Sequence, residues 1–108
     1  MISSKKPTFG QAVTNLRRKR GLNQRELADR IKREDGGAIS AQYLSDIEHD
    51  RRSPSSDHLI RQMADALDAD PSFLAFVAGT LPPEIRDLAL DEERLRRAID
   101  AFRKEAQR

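Results

Sequence analysis

Residues 34–48 read EDGGAISAQYLSDIE. The run Asp35-Gly36-Gly37 is a strong turn signal, because glycine takes positive φ without steric cost. Ser40 follows as a helix N-cap, with Ile39 before it to staple onto Leu44, the fourth helical position. At roughly 100° per residue, Tyr43, Leu44 and Ile47 fall on one side of this helix, and Ala41, Gln42, Ser45, Asp46 and His49 on the other. The outward side is built of small or hydrogen-bonding residues, which suits a helix laid against something polar. The apolar side needs neighbouring helices, and the fold depends on whether the flanking sequence provides them.

It does so in both directions. Upstream, Leu22-Asn23-Gln24-Arg25-Glu26-Leu27 combines an N-cap (Asn23), a capping-box partner (Glu26) and a staple from Leu22 to Leu27. Leu27, Ala28 and Ile31 line one side, Arg25, Asp29, Arg30, Lys32 and Arg33 stay outside, and the pattern predicts a helix ending near Glu34. Earlier still, Thr8 and Gln11 form a T-x-x-Q box ahead of Phe9, Val13 and Leu16, with Gly21 as the stop. Residues 1–7 read as a flexible arm ending in Pro7.

Downstream, Asp50-Arg51-Arg52-Ser53-Pro54 is a basic loop, and Ser55 is read as the N-cap of a helix carrying Leu59, Ile60, Met63, Ala64 and Leu67. Asp70-Pro71 opens a fifth helix with Phe73, Leu74 and Val77, stopping at Gly79. The reading is all-α, one domain over residues 8–79. After Leu81 the Pro82-Pro83 pair breaks the chain, and residues 80–108 form a charged helical extension, its last helix capped by Asp91. In that extension Ile85, Leu88, Leu95, Ile99 and Phe102 recur at near-heptad spacing, broken by Glu92.

Composition agrees. A chain of 108 residues holds one core, and four Phe, one Tyr and no Trp fit a small helical protein better than a sheet. The absence of cysteine excludes disulfides and thiolate metal sites. With no long apolar run, the expectation is a cytoplasmic protein without secretory signal or membrane span. Charge is uneven: ten Lys or Arg face three acids in residues 1–34, two face five in 35–58, and eight face ten in 59–108. A basic first third suits a polyanionic partner, although a solvated helix face gives the same pattern. No phosphate loop, paired histidine ligands or nucleophile set is present, so no enzyme, metal or cofactor is expected. His49 and His58 are too isolated for a metal site and read as surface or capping residues.

The ordered clusters Leu16-Arg17, Gly21-Leu22-Asn23-Gln24, Glu26-Leu27-Ala28, Ile39-Ser40, Tyr43-Leu44-Ser45-x-Ile47-Glu48, Arg52-x-Pro54 and Leu59-x-x-x-x-Ala64-x-x-Leu67 resemble the helix-turn-helix regulators of the phage repressor and Cro type, the xenobiotic response element family. The resemblance spans about residues 8–78 and implies a five-helix, lambda-repressor-like domain. One departure stands out. Nine positions separate Ile31 from Ser40 where the family pattern has about three, so an insertion around Lys32–Gly37 either lengthens the second helix or bulges as a loop. Loops take such insertions cheaply, because closure entropy grows slowly with length. Lys32 and Arg33 in it are candidates for added phosphate contacts or for plain solvated surface.

The resemblance implies double-stranded DNA as partner, with Ala41, Gln42 and Asp46 at base edges and Ser40, Tyr43 and Ser45 near the backbone. It makes Gln24 a phosphate clamp and Arg25, Arg51, Arg52 and the arm residues Lys5 and Lys6 sources of general attraction. Asp46 either accepts from cytosine or holds Arg51 or Arg52 in place. Arg17 and Glu48 are implied to form a partly buried, structural salt bridge. Family members usually bind palindromic half-sites as homodimers, and Ile85, Leu88, Leu95, Ile99 and Phe102 are the candidate dimer contacts, the competing arrangement being a helix folded back on its own core. The leading functional reading is a repressor that occludes a promoter. The alternative is an antitoxin-type or protease-controlled interaction protein, whose tail binds a protein partner and whose DNA binding is autoregulatory.

Overall fold

The computed structural model of the chain describes residues 6–54 and 56–108. Each longer helix starts where a side chain takes up backbone donors that the first turn leaves without partners. Thr8 Oγ1 accepts from Gln11 N and Gln11 Oε1 from Thr8 N, both at 3.0 Å, opening α1 (Phe9–Lys19). Asn23 and Glu26 repeat that reciprocal pair at α2 (Gln24–Arg30). Ser40 caps α3 (Ala41–Glu48), Ser56 caps α4 (Asp57–Leu67), and Asp70 with Pro71 opens α5 (Pro71–Val77). Past the Pro82-Pro83 break come a single turn, α6 (Pro83–Arg86), and α7 (Glu92–Ala106), capped by Asp91. The cap of α4 falls on Ser56; Ser55, where the sequence reading places it, lies outside the described residues.

The second helix is shorter than the periodicity suggests. It stops at Arg30 instead of running to Glu34, because Ile31 turns extended (φ −102°, ψ 115°) and drops a fully buried side chain into the core. The insertion that follows is a small hairpin. Lys32 and Ala38 pair as an antiparallel bridge, Arg33 N donates to Gly37 O at 2.7 Å, and Ile39 N donates to Ile31 O at 3.0 Å. Gly36 supplies the positive φ of 91° that its tip requires. Burying Ile31 and Ile39 side by side outweighs another turn of helix.

The core is formed by α1–α5 around Val13, Leu27, Ile31, Leu44, Ile47, Met63 and Leu74, all fully buried. α1 and α2 both pack on α3, α4 packs on α2 and α5, and α5 returns to α1. Two residues that the sequence reading did not single out set the α1–α3 crossing. Gly10 lies so close to the end of α3 that a Cβ would run into the carbonyl oxygens of Ile47 and Glu48. Asp50, at φ 59°, accepts from Thr8 Oγ1 at 2.6 Å and from Gly10 N at 2.9 Å, so the loop after α3 caps α1. By contrast α6 and α7 contain no buried residue. Phe102 of α7 meets Phe76 of α5 at 5.9 Å between ring centroids, and Arg86 of α6 grips Asp57 at 2.5 Å.

The expected pair of Arg17 and Glu48 is present and is larger than a pair. Arg17 donates from Nε to Glu48 Oε2 at 2.7 Å, from Nη2 to Oε1 at 3.0 Å, and from Nη1 to Leu22 O at 2.9 Å. Gln24 Nε2 adds a bond to Glu48 Oε1 at 3.0 Å. Burial pushes the Glu48 carboxyl up, but hydrogen bonds from Arg17, Gln24 and Thr14 together bring it below its ordinary 4.5. The fork-shaped guanidinium matches the carboxylate bidentately while its last N–H fixes the turn before α2.

Replacing Glu48 by Ala strands a guanidinium whose side chain is only 11% exposed, and should cost about 3–5 kcal/mol in urea unfolding. Because the native carboxyl is held low, its stabilisation is complete above 4.5 and disappears as pH falls through the lower native value. Melting temperature should therefore drop on acidification below that point, and drop less in Glu48→Gln.

Candidate nucleic-acid interface

One edge of α3 faces solvent. Gln42 is exposed and Ala41, Ser45 and Asp46 are partly so, while Leu44, Ile47 and Glu48 are buried behind them. Ser40 Oγ accepts from Tyr43 N at 3.0 Å, which fixes the direction in which this edge starts. Tyr43 lies half-buried against the core.

The polar side chains along the edge are tied to the basic loop. Asp46 Oδ1 accepts from Gln42 Nε2 at 3.0 Å and from Arg51 through Nε at 3.1 Å, with Arg51 Nη2 also at 3.0 Å. Arg51 N donates to Asp46 O at 2.8 Å, closing a ring between side chain and backbone. The hydrogen bond from Arg51, then that from Gln42, holds the Asp46 carboxyl below the usual carboxylate range. Among the described residues no hydrogen bond reaches Asp46 Oδ2, and the Gln42 amide keeps its carbonyl oxygen and one N–H for another partner. The Arg52 guanidinium lies 5.0 Å from the centroid of the Tyr43 ring, a cation–π arrangement. Both loop arginines are thus positioned by side chains of α3.

Gln24 opens α2 half-buried, one amide N–H committed to Glu48, and Arg25 beside it is exposed. Lys6 stands over the ring of Phe76 at 5.0 Å, and Lys5 lies outside the described residues. His49 Nδ1 bonds Ser45 O at 2.8 Å at the end of α3, and His58 Nε2 bonds Lys32 O at 3.0 Å. The candidate dimer residues Ile85, Leu88, Leu95, Ile99 and Phe102 are 41–58% exposed. Phe73, read with the core positions of the fifth helix, joins them at the surface with Phe76 and Leu81, so the uncovered apolar area extends from α5 through α7. Phe73 and Phe76, three residues apart, share one face of α5 and both are exposed, while Leu74 and Val77 hold the buried face.

The profile of a family described as helix-turn-helix matches residues 14–74, from within α1 to α5. No curated protein matches the chain. Among solved structures, a complex of SinR protein with SinI protein is similar at a TM-score of 0.52 and 20% identity, covering 94% of this chain and 100% of that one. At that identity the likeness is one of fold. The matched family span contains Arg17, Gln24, the whole of α3 and the basic loop.

Since Asp46 and Arg51 share one interaction, their removal should not be additive. The double variant Asp46→Ala/Arg51→Ala should lose less affinity for duplex DNA, followed by fluorescence anisotropy, than the sum of the two single losses. Strictly additive losses would show that Asp46 acts apart from Arg51.

Proposed function

The chain belongs to the Cro/C1-type helix-turn-helix family and is a DNA-binding transcriptional regulator, and from that premise we propose that it is a repressor binding a palindromic operator as a homodimer. In this reading α3 enters the major groove, where an α-helix fits and each base pair displays its own donor and acceptor pattern. Gln42 offers the outward carbonyl and N–H that pair with adenine, and Ala41 fits a thymine methyl. Asp46 serves chiefly to orient Gln42 and Arg51, its second oxygen remaining for a cytosine amino group. Ser40, Tyr43, Ser45, Gln24, Arg25, Arg51 and Arg52 flank the helix and hold phosphates, which fix register without reading sequence. The observation that carries the proposal is the uncovered polar edge of α3, clamped from behind by Arg17 and Glu48. A bound dimer would cover promoter DNA and repress by occlusion.

A single short helix reads few base pairs, so two copies are needed for a useful site. The apolar stripe of Ile85, Leu88, Leu95, Ile99 and Phe102 supports the tail as the contact, because the protomer leaves it uncovered. The SinI partner of the structural neighbour favours a second reading, in which this tail captures a different protein and DNA binding is autoregulatory.

Selection of duplexes from a random pool should enrich a palindrome, and Gln42→Ala should relax preference at one position of each half-site by about 1–3 kcal/mol. Enrichment of no sequence would overturn the role given to α3. In sedimentation the intact chain should behave as a dimer and Ile99→Asp as a monomer; a monomeric wild type would favour the second reading.

A further inference from the structure

The hairpin between α2 and α3 walls a cleft of about 550 Å3 at the start of α3. Arg33 and Glu34 contribute from the hairpin, Ser40 and Tyr43 from α3, and Ser56 and His58 from the start of α4. The hairpin is held in place from two directions. Its base rests on buried Ile31 and Ile39, and α4 satisfies both backbone groups of Lys32: His58 Nε2 donates to its carbonyl at 3.0 Å, and its N–H donates to Gln62 Oε1 at 3.2 Å. A backbone held at each of these points is a fixed wall.

The charges in and around the cleft suit one kind of occupant. Arg33 is 59% exposed and, among the described residues, paired only with Asp35 across 3.4 Å, an association weak enough to yield its guanidinium to a stronger anion. Asp57, next to Ser56, would repel an anion, but Arg86 holds it at 2.5 Å. Glu34 has no ion-pair partner among the described residues and opposes Arg33 at the rim. The remaining lining mixes hydroxyls with apolar surface, which accommodates a sugar as well as a phosphate. The cleft also shares Ser40 and Tyr43 with the edge assigned above to the DNA backbone.

We propose that this cleft seats the deoxyribose-phosphate backbone flanking the bases read by α3, with the hairpin acting as a side wall that lengthens the contact by about one phosphate. The inference rests on the reading of α3 as a major-groove helix. It gives the insertion, which the family spacing lacks, a function in DNA affinity and none in sequence preference.

Arg33 and Glu34 should act with opposite sign. On a duplex carrying the selected sequence with flanking DNA, Arg33→Ala should weaken binding about three- to tenfold and lower the slope of log affinity against log salt by about 0.9. Glu34→Gln should tighten binding, and both variants should select the same consensus as the wild type. Hydroxyl-radical footprints of Arg33→Ala should lose protection at the edge of each half-site. Both side chains are exposed, so thermal melts should be unchanged. If both variants bind DNA with wild-type affinity and slope, as they would were the cleft a small-molecule site, the proposal is overturned. Failure of the underlying reading would instead appear in the wild type, as binding without sequence preference.

Discussion

A carboxylate that is almost out of reach of water organises the junction of α1, α2 and α3. Glu48 closes α3 with 8% of its surface exposed, and an ion so placed is tolerable only when its oxygens are fully bonded. Arg17 from α1, the turn at Leu22 and Gln24 at the head of α2 converge on that requirement. Satisfying one charge therefore fixes three helices relative to one another. The pairing gains little over an apolar contact of the same shape, but it admits very few alternative geometries, and the direction of α3 is what a reading helix needs to have fixed.

The same economy appears on the outer face. Asp46 would repel DNA phosphates if it stood alone, yet here it spends one oxygen on Gln42 and Arg51. Its charge is partly cancelled where it could repel, and an amide and a guanidinium with many rotamers are restricted before any ligand arrives. Tyr43 does the same for Arg52 through its ring. Ordering such side chains in advance reduces the entropy lost on binding, which otherwise takes roughly 0.5–1.5 kcal/mol per side chain from an interface.

Local chemistry was readable from sequence, and long-range geometry was not. The caps at Thr8, Asn23, Ser40, Asp70 and Asp91 depend on residues within three positions, and each is where its spacing implies. The Arg17–Glu48 contact came from a resemblance and not from any spacing rule. Asp50 capping α1 and Gly10 admitting the end of α3 join residues some 40 positions apart, and only the assembled fold brings them together. Periodicity extends α2 too far because Lys32 and Arg33 continue its polar face, whereas its end is decided by the burial of Ile31 and Ile39 against the rest of the core. At the candidate interface, helical periodicity puts Ala41, Gln42, Ser45 and Asp46 on the solvent side of α3, where they lie, but it cannot show that Gln42, Asp46 and Arg51 form a single network.

The tail poses a different energetic problem. α7 runs from Glu92 to Ala106, near the length at which a solitary helix is marginal in water, and it contributes no buried residue to its own protomer. Its ion pairs, Glu92 with Arg96, Glu93 with Arg97 and Asp100 with Lys104, are exposed and each adds only about 0.3–0.5 kcal/mol. Against this stand Leu95, Ile99 and Phe102, which stay 41–58% exposed even with Phe102 against the ring of Phe76. In the proposed dimer the covering of these three side chains stabilises α7, and ordered α7 in turn presents them, so helix formation and association become one concentration-dependent equilibrium. Arg86 of α6 joins Asp57 at the head of α4, linking the segment before α7 to the five-helix core. Operator occupancy would then rise more steeply than first order in protein concentration, because folding of the tail, pairing of the copies and engagement of two half-sites reinforce one another.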